Sequence, residues 1–288
     1  MAPVTTTHSR RFLRNRCGPQ RKREKLFSRG RTSSRPLAST RGRAAEGEAS
    51  TTCAELLVLQ NASVQPCFGS DQAEVNLASL WGGEETHVLL FLSHFGDLTS
   101  WEYAQKVRDR MGELTERGAS VTVVGLGSVA SGKKFAELLK FPTSNLYADP
   151  SGQVYKDLDF AQGFLPDSDI SPYVKLLGML AGVGSPGTMA EVFRGYVGDR
   201  DAEQIFDSGP FDILGTGYQR PFELATLRLS NMIGILPNWS ELVTQEDLIC
   251  QQGGTFIFKG EDLVHAQRDA GILKYASIDK VIQALDEA

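Results

Sequence analysis

Residues 88–104 read VLLFLSHFGDLTSWEYA. The unbroken apolar run up to Ser93 is the pattern of a strand buried on both faces. From Thr99 or Ser100 the period changes. Trp101, Ala104, Val107, Met111 and Leu114 recur every three or four residues, as one face of a helix requires, and Gly118 stops it. Downstream, VTVVGLG (121–127) is a second buried strand, 133–139 is a second helix, and NLYADP (145–150) is a third strand ending in a turn. Strand, helix, strand, helix, strand at this spacing predicts a βαβ arrangement with a parallel core. Near the C-terminus, GGTFIFKGEDLVHAQRD (253–269) predicts two strands joined at Lys259-Gly260-Glu261-Asp262. A last helix over 277–285 carries Ile278, Val281, Ile282 and Leu285 on one face. Between the halves lies a long segment, about 165–245, too large for a loop and too irregular for a separate domain.

Charge is unevenly spread along the 288 residues. Residues 1–45 hold 13 of the 30 Lys and Arg and a single acid, Glu24, a charge of +12, while the remainder holds 17 basic and 34 acidic side chains, a charge of −17. The basic segment is rich in Arg, Ser and Thr and has no apolar core, which predicts a disordered organelle transit peptide rather than a secretory signal. Arg43-Ala44-Ala45, just before Glu46, is a fitting cleavage zone. A nucleic-acid-binding arm is the competing reading, disfavoured because the acidic body would repel phosphate, so no nucleic-acid partner is expected. The longest apolar candidate for a membrane span, LLGMLAGVG (176–184), is too short and broken by glycine. Cys17 falls in the basic segment. Cys53, Cys67 and Cys250 are too widely spaced for a disulfide framework or a metal site.

The stretches FGDLTSWEYA (95–104), VGLGSVASGKKF (124–135), LYADPSGQVYKDL (146–158), AGVGSPGTMAEVFRGYVGDRDA (181–202), GYQRPFELATLRLSNM (217–232) and QQGGTFIF (251–258) resemble the peroxiredoxin-like proteins of the alkyl hydroperoxide reductase/thiol-specific antioxidant (AhpC/TSA) group. They are most similar to a cyanobacterial and plant plastid branch. The resemblance covers most of 54–285 and implies a thioredoxin-like α/β fold: a central mixed sheet flanked by helices, with the 165–245 insert placed before the C-terminal hairpin. It also implies a plastid stroma location (mitochondrion second), an antioxidant role, and thioredoxin or another thiol donor as partner. The family's chemistry is reduction of peroxide by a cysteine thiolate at the strand-to-helix turn, where the helix N-terminus favours the thiolate. Related branches carry C-x-x-C there; the matching positions here are Asp97 and Ser100. No oxygen nucleophile passes through a sulfenic acid, so that chemistry is missing from the turn. The residue expected to face the turn, a cis-proline in thioredoxin-type folds, falls at Gly254.

The residues left leave two functions open: a redox protein, or a redox-inactive binding or assembly factor acting through its insert. Asp97, Thr99 and Ser100 are each able to cap the helix, or to hold a small ligand at its N-terminus. Cys250, four residues before Gly254, is the candidate for a relocated catalytic thiol; a small buried hydrophobe is the alternative. Cys67 reads similarly, and His94 is a candidate base or a structural residue. Gly127-x4-Gly132-Lys133 follows a strand and opens a helix like a phosphate-binding loop, but Lys134 occupies the position of its metal-binding hydroxyl. In the insert, Arg194, Asp199, Arg200, Asp201, Arg220, Glu223 and Arg228 form two arginine–acid clusters, which suit a ligand, a partner, or a salt-bridged lid. No cofactor and no metal are expected.

Overall fold

The apolar run at 88–93 sits at the centre of the architecture because both of its faces are covered. The computed structural model of the chain describes residues 53–69 and 73–288; the basic segment 1–45, with its expected import signal, lies outside them. In order, the elements begin α1 (Ala54–Asn61), β1 (Ser63–Pro66), β2 (Val75–Asn76), β3 (Thr86–His94), α2 (Leu98–Asp109), α3 (Met111–Glu116), β4 (Ala119–Leu126) and α4 (Val129–Leu139). They continue with β5 (Leu146–Asp149), α5 (Gln153–Asp157), α6 (Pro172–Leu180), α7 (Thr188–Val197), α8 (Glu223–Ile235), α9 (Trp239–Leu242), β6 (Gly254–Lys259), β7 (Asp262–Arg268) and α10 (Ile278–Glu287).

The seven strands form one sheet in the order β2-β1-β5-β4-β3-β6-β7. β3 pairs in parallel with β4, and β4 with β5, whereas β6 runs antiparallel to β3 and β7 antiparallel to β6. The thioredoxin-like mixed sheet expected from the sequence is therefore present. Val88, Leu90 and Leu92 face one apolar core, shared with α2, α4 and α10; Leu89 and Phe91 face the other, shared with α1 and α5. That alternation is the pleat of the strand, and both cores being apolar explains why no polar residue interrupts the run from Val88 to Leu92.

The helix expected over 100–116 breaks in two at Arg110, whose ψ of 10° is outside the helical range. Its side chain reaches Glu113, Glu203 and Asp279, three contacts from three regions that no local pattern encodes. The insert folds as α6 to α9 within the same compact unit as the sheet, Ser50–Ala288. Met179, Ile235 and Leu242 carry it into the core on the α2 face.

Phe95, fully buried beneath the β3–α2 turn, is enclosed by three glycines. A Cβ at Gly125 would stand 2.4 Å from its ring, at Gly127 2.9 Å, and at Gly132 3.1 Å. Gly127 also has φ +138°, which a side chain would strain. The two glycines of the phosphate-loop pattern thus make room for a phenylalanine, and Ser128 caps α4 by accepting from the Ser131 N–H at 3.1 Å.

Candidate functional site

The turn between β3 and α2 places Asp97 at the N-cap of α2, with Thr99 and Ser100 in the first helical turn. None of the three caps the helix through its side chain, contrary to the sequence expectation, because each oxygen is claimed by a neighbouring element. Ser93, at the end of β3, donates to the Asp97 carboxylate. Its hydroxyl also lies 2.7 Å from that of Ser100. The Thr99 hydroxyl accepts from the Leu273 N–H at 3.2 Å. The Ser93 hydroxyl thus links the Asp97 carboxylate and the Ser100 hydroxyl in a chain of three hydrogen-bonded oxygens.

A pocket of about 10 Å³ remains beside this cluster, lined by Ser93, Thr99, Ser100, Gln252, Gly253 and Asp269 among others. That is room for about one water molecule. Gly253 lines this pocket with Ser93 and Ser100, and a Cβ there would lie 1.9 Å from the Phe91 carbonyl oxygen, while Gly254 pairs with Phe91 in β6. Asp269, buried, leaves Oδ1 without a partner. Burial, reinforced by the Asp97 charge, pushes its pKa well above the usual aspartate range, which favours the protonated form. His94 is buried on the other side with Nδ1 unpartnered; burial lowers its pKa against the pull of Asp97. The insert roofs the turn. A Cβ at Gly96 would meet Val243 at 2.6 Å, and the Trp239 ring packs edge-on to His94 at 5.8 Å.

The thiols lie elsewhere. Cys250, in the segment before β6, lines a separate cavity of about 190 Å³ with Lys156, Pro172 and Lys175, and its thiol donates to the Pro172 carbonyl at 3.5 Å. Burial raises its pKa, Lys175 pulling the other way. Cys67 packs against Gly132, and burial pushes its pKa up to about 12 despite Lys133. Both are held as protonated thiols, the less reactive form.

The charged groups of the insert pair inward. Arg194 meets Glu191 at 2.8 Å and Asp199 at 3.5 Å. Arg220, with no exposed surface, bonds Asp212 and Glu223, each at 2.6 Å, while Arg200 lies at the surface over the Tyr218 ring at 5.8 Å. Arg194 and Asp199 thus come together, Arg220 belongs to a second cluster, and Arg200 joins neither. The Asp201 N–H donates to the Asp199 carboxylate. Arg228 on α8 reaches Glu102 on α2 at 2.6 Å. Burial raises the Glu102 pKa, but Lys106 and Arg228 outweigh that and hold it below the usual glutamate range. Tyr275 donates to the same carboxylate at 2.5 Å. Asp269, Tyr275 and Gln252 gave no signal in the sequence, since each is a lone polar residue. Among the described residues no cluster of three His, Cys, Asp or Glu side chains is placed to hold a metal, and no helix is long and apolar enough to cross a membrane.

A mixed sheet with parallel β3-β4-β5, an antiparallel β6–β7 hairpin and a helix starting from the central strand defines a thioredoxin-like, peroxiredoxin-like protein. The family model described as AhpC/TSA antioxidant enzyme matches residues 106–271, more than half of the chain, and the chain belongs to that family. The match begins after the first turn of α2 and so does not include Asp97 to Ser100. Among solved structures, peroxidoxin BcpB from Mycobacterium tuberculosis is 15% identical, over 78% of this chain and 92% of that one, with a TM-score of 0.41. The Xanthomonas campestris bacterioferritin comigratory protein is 13% identical, over 80% and 94%, also at 0.41. A peroxiredoxin-like protein from Aquifex aeolicus is 13% identical, over 78% and 82%, at 0.39. A search of curated proteins finds no match.

Proposed function

We propose that the chain keeps the AhpC/TSA scaffold without thiol peroxidase chemistry at the β3–α2 turn, and works as a binding or assembly protein through its insert. The observation that carries this is the closed Ser93–Asp97–Ser100 cluster in the place of the thiolate. Peroxide cleavage needs a nucleophile that can take up oxygen as sulfenic acid, and a hydroxyl cannot. The roof of Trp239 and Val243 and the small volume left beside the turn support the same reading. The basic, acid-poor segment 1–45 and the resemblance to the plastid branch support import into the plastid stroma.

The Cys250 cavity favours a second reading, a peroxidase whose thiol has moved and which a thioredoxin-type donor recycles. Lys175 beside that thiol is the kind of cation that would assist a thiolate, but burial outweighs it. A peroxide-consumption assay on the purified full chain with thioredoxin present separates the two. The expected rate is no higher than that of an unrelated protein with as many thiols. Rapid consumption abolished by Cys250→Ser would establish the second reading instead.

A further inference from the structure

Among the described residues three cationic side chains are buried, and two of them are paired with acids. Arg220 binds Asp212 and Glu223, and Arg228 binds Glu102. Lys175 on α6, only 8% exposed, meets carbonyls instead: it donates to Pro166 at 3.2 Å and to Ser168 at 2.9 Å, and no described carboxylate pairs with it. An ammonium has three N–H donors, so one is left over. A buried charge without a counter-charge is costly. This one borders the cavity of about 190 Å³ on which the Cys250 thiol also lies.

The walls of the cavity fit a particular kind of anion. Lys156 on α5, exposed and in no ion pair among the described residues, lies at the rim as a second cation, and Asp247 is the single acid. Two ammonium groups against one carboxylate suit a monoanion. Pro166, Pro172 and Leu248 add apolar wall, which an inorganic ion would leave uncovered. A phosphate would also call on backbone N–H groups at the start of α6, and few are on offer. Pro172 has none, and those of Val174 and Lys175 bond the Ser171 carbonyl. An apolar cavity of about 150 Å³ takes a benzene ring, so the volume here has room for a short carbon chain as well as a carboxylate.

We propose that this cavity binds a small organic monocarboxylate. Its carboxylate is the counter-charge of Lys175, with Lys156 at the mouth, and its carbon chain lies against Pro166, Pro172 and Leu248. The proposal rests on the reading of the insert as the binding part of the protein, since α6 supplies Lys175 and Pro172, and it gives that part a ligand class.

Isothermal titration of the full chain with hexanoate, at neutral pH and low salt, tests it. The expected result is one site per chain with a dissociation constant of about 1 mM or below. Hexanamide, of the same shape without the charge, and inorganic phosphate are each expected to bind about tenfold more weakly or worse. Lys175→Met keeps the length of the side chain and removes the ammonium; it is expected to weaken hexanoate about tenfold or more, with an unchanged far-UV circular dichroism spectrum. Should that variant fold poorly, Lys156→Glu is expected to weaken hexanoate about threefold or more and to leave hexanamide unchanged. Three results would each overturn the proposal: no hexanoate binding up to about 10 mM, hexanamide or phosphate binding as tightly as hexanoate, or an unchanged hexanoate affinity in a folded variant. No readout involves peroxide, so failure here leaves the redox-inactive reading intact, and peroxidase activity would leave the carboxylate site intact.

Discussion

Glu102 and Asp269 are buried carboxylates in two regions near the start of α2, and they are treated in opposite ways. Glu102, where the insert meets α2, has Arg228, Lys106 and Tyr275 around it and stays ionised. Asp269, in the cleft that faces the turn, leaves one oxygen unpartnered, and burial drives its pKa up. A buried charge survives only with compensation, and the compensation here is spent on holding the insert. The cleft beside the turn receives none.

Removing the carboxylate from the first region should have the largest effect. Glu102→Ala leaves Arg228 and Lys106 without their partner, and the expected loss is about 3–5 kcal/mol in urea unfolding at neutral pH. Because the Glu102 pKa is lowered on folding, the wild type's advantage should be present above the ordinary glutamate value of 4.5 and fade as pH falls below it.

The second region should respond with the opposite sign. Asp269 has a raised pKa in the folded state, so its contribution is favourable at low pH and lost as pH rises from the ordinary aspartate value of 3.8 toward the folded value. Asp269→Asn, which never ionises, is therefore expected to be more stable than the wild type at pH 7, by about 1–2 kcal/mol. The gap should close near pH 3, and equal stability of the two proteins at both pH values would break the comparison.

The smallest effect is expected at the turn itself. Ser100→Ala removes one buried hydroxyl from a cluster in which Ser93 keeps its bond to Asp97, costing about 1 kcal/mol in the same unfolding measurement.

Much of the fold was legible in the sequence because the central elements obey local rules. β3 and β4 are buried on both faces and read as apolar runs, and α10 carries Ile278, Val281 and Ile282 on its buried side. The helices of the insert did not read as helices for a physical reason. α8 buries Leu224 and Ile235 yet exposes Leu229 and Ile233, so its apolar residues do not separate inside from outside. That positions 97 and 100 hold Asp and Ser rather than cysteine was plain from residue types alone. Their surroundings were not, because the Ser93–Asp97–Ser100 cluster, the Asp269 cleft and the Trp239 roof join residues from distant parts of the chain.

The glycine socket around Phe95 has a consequence for how this region can vary over generations. Gly125 and Gly127 follow β4's centre and end, Gly132 lies inside α4, and all three positions answer to one ring. At Gly125 a substitution is tolerated only if Phe95 has already shrunk, whereas at Gly132 a Cβ would also meet the Cys67 Sγ at 2.4 Å and at Gly127 the φ of +138° strains any side chain; a smaller residue at 95 leaves a void in turn. The four sites are therefore bound by epistasis, and single steps in any direction run through a less stable chain. Such a locked group drifts slowly whatever becomes of the chemistry above it. The scaffold of the turn can thus stay fixed while the residues on it change.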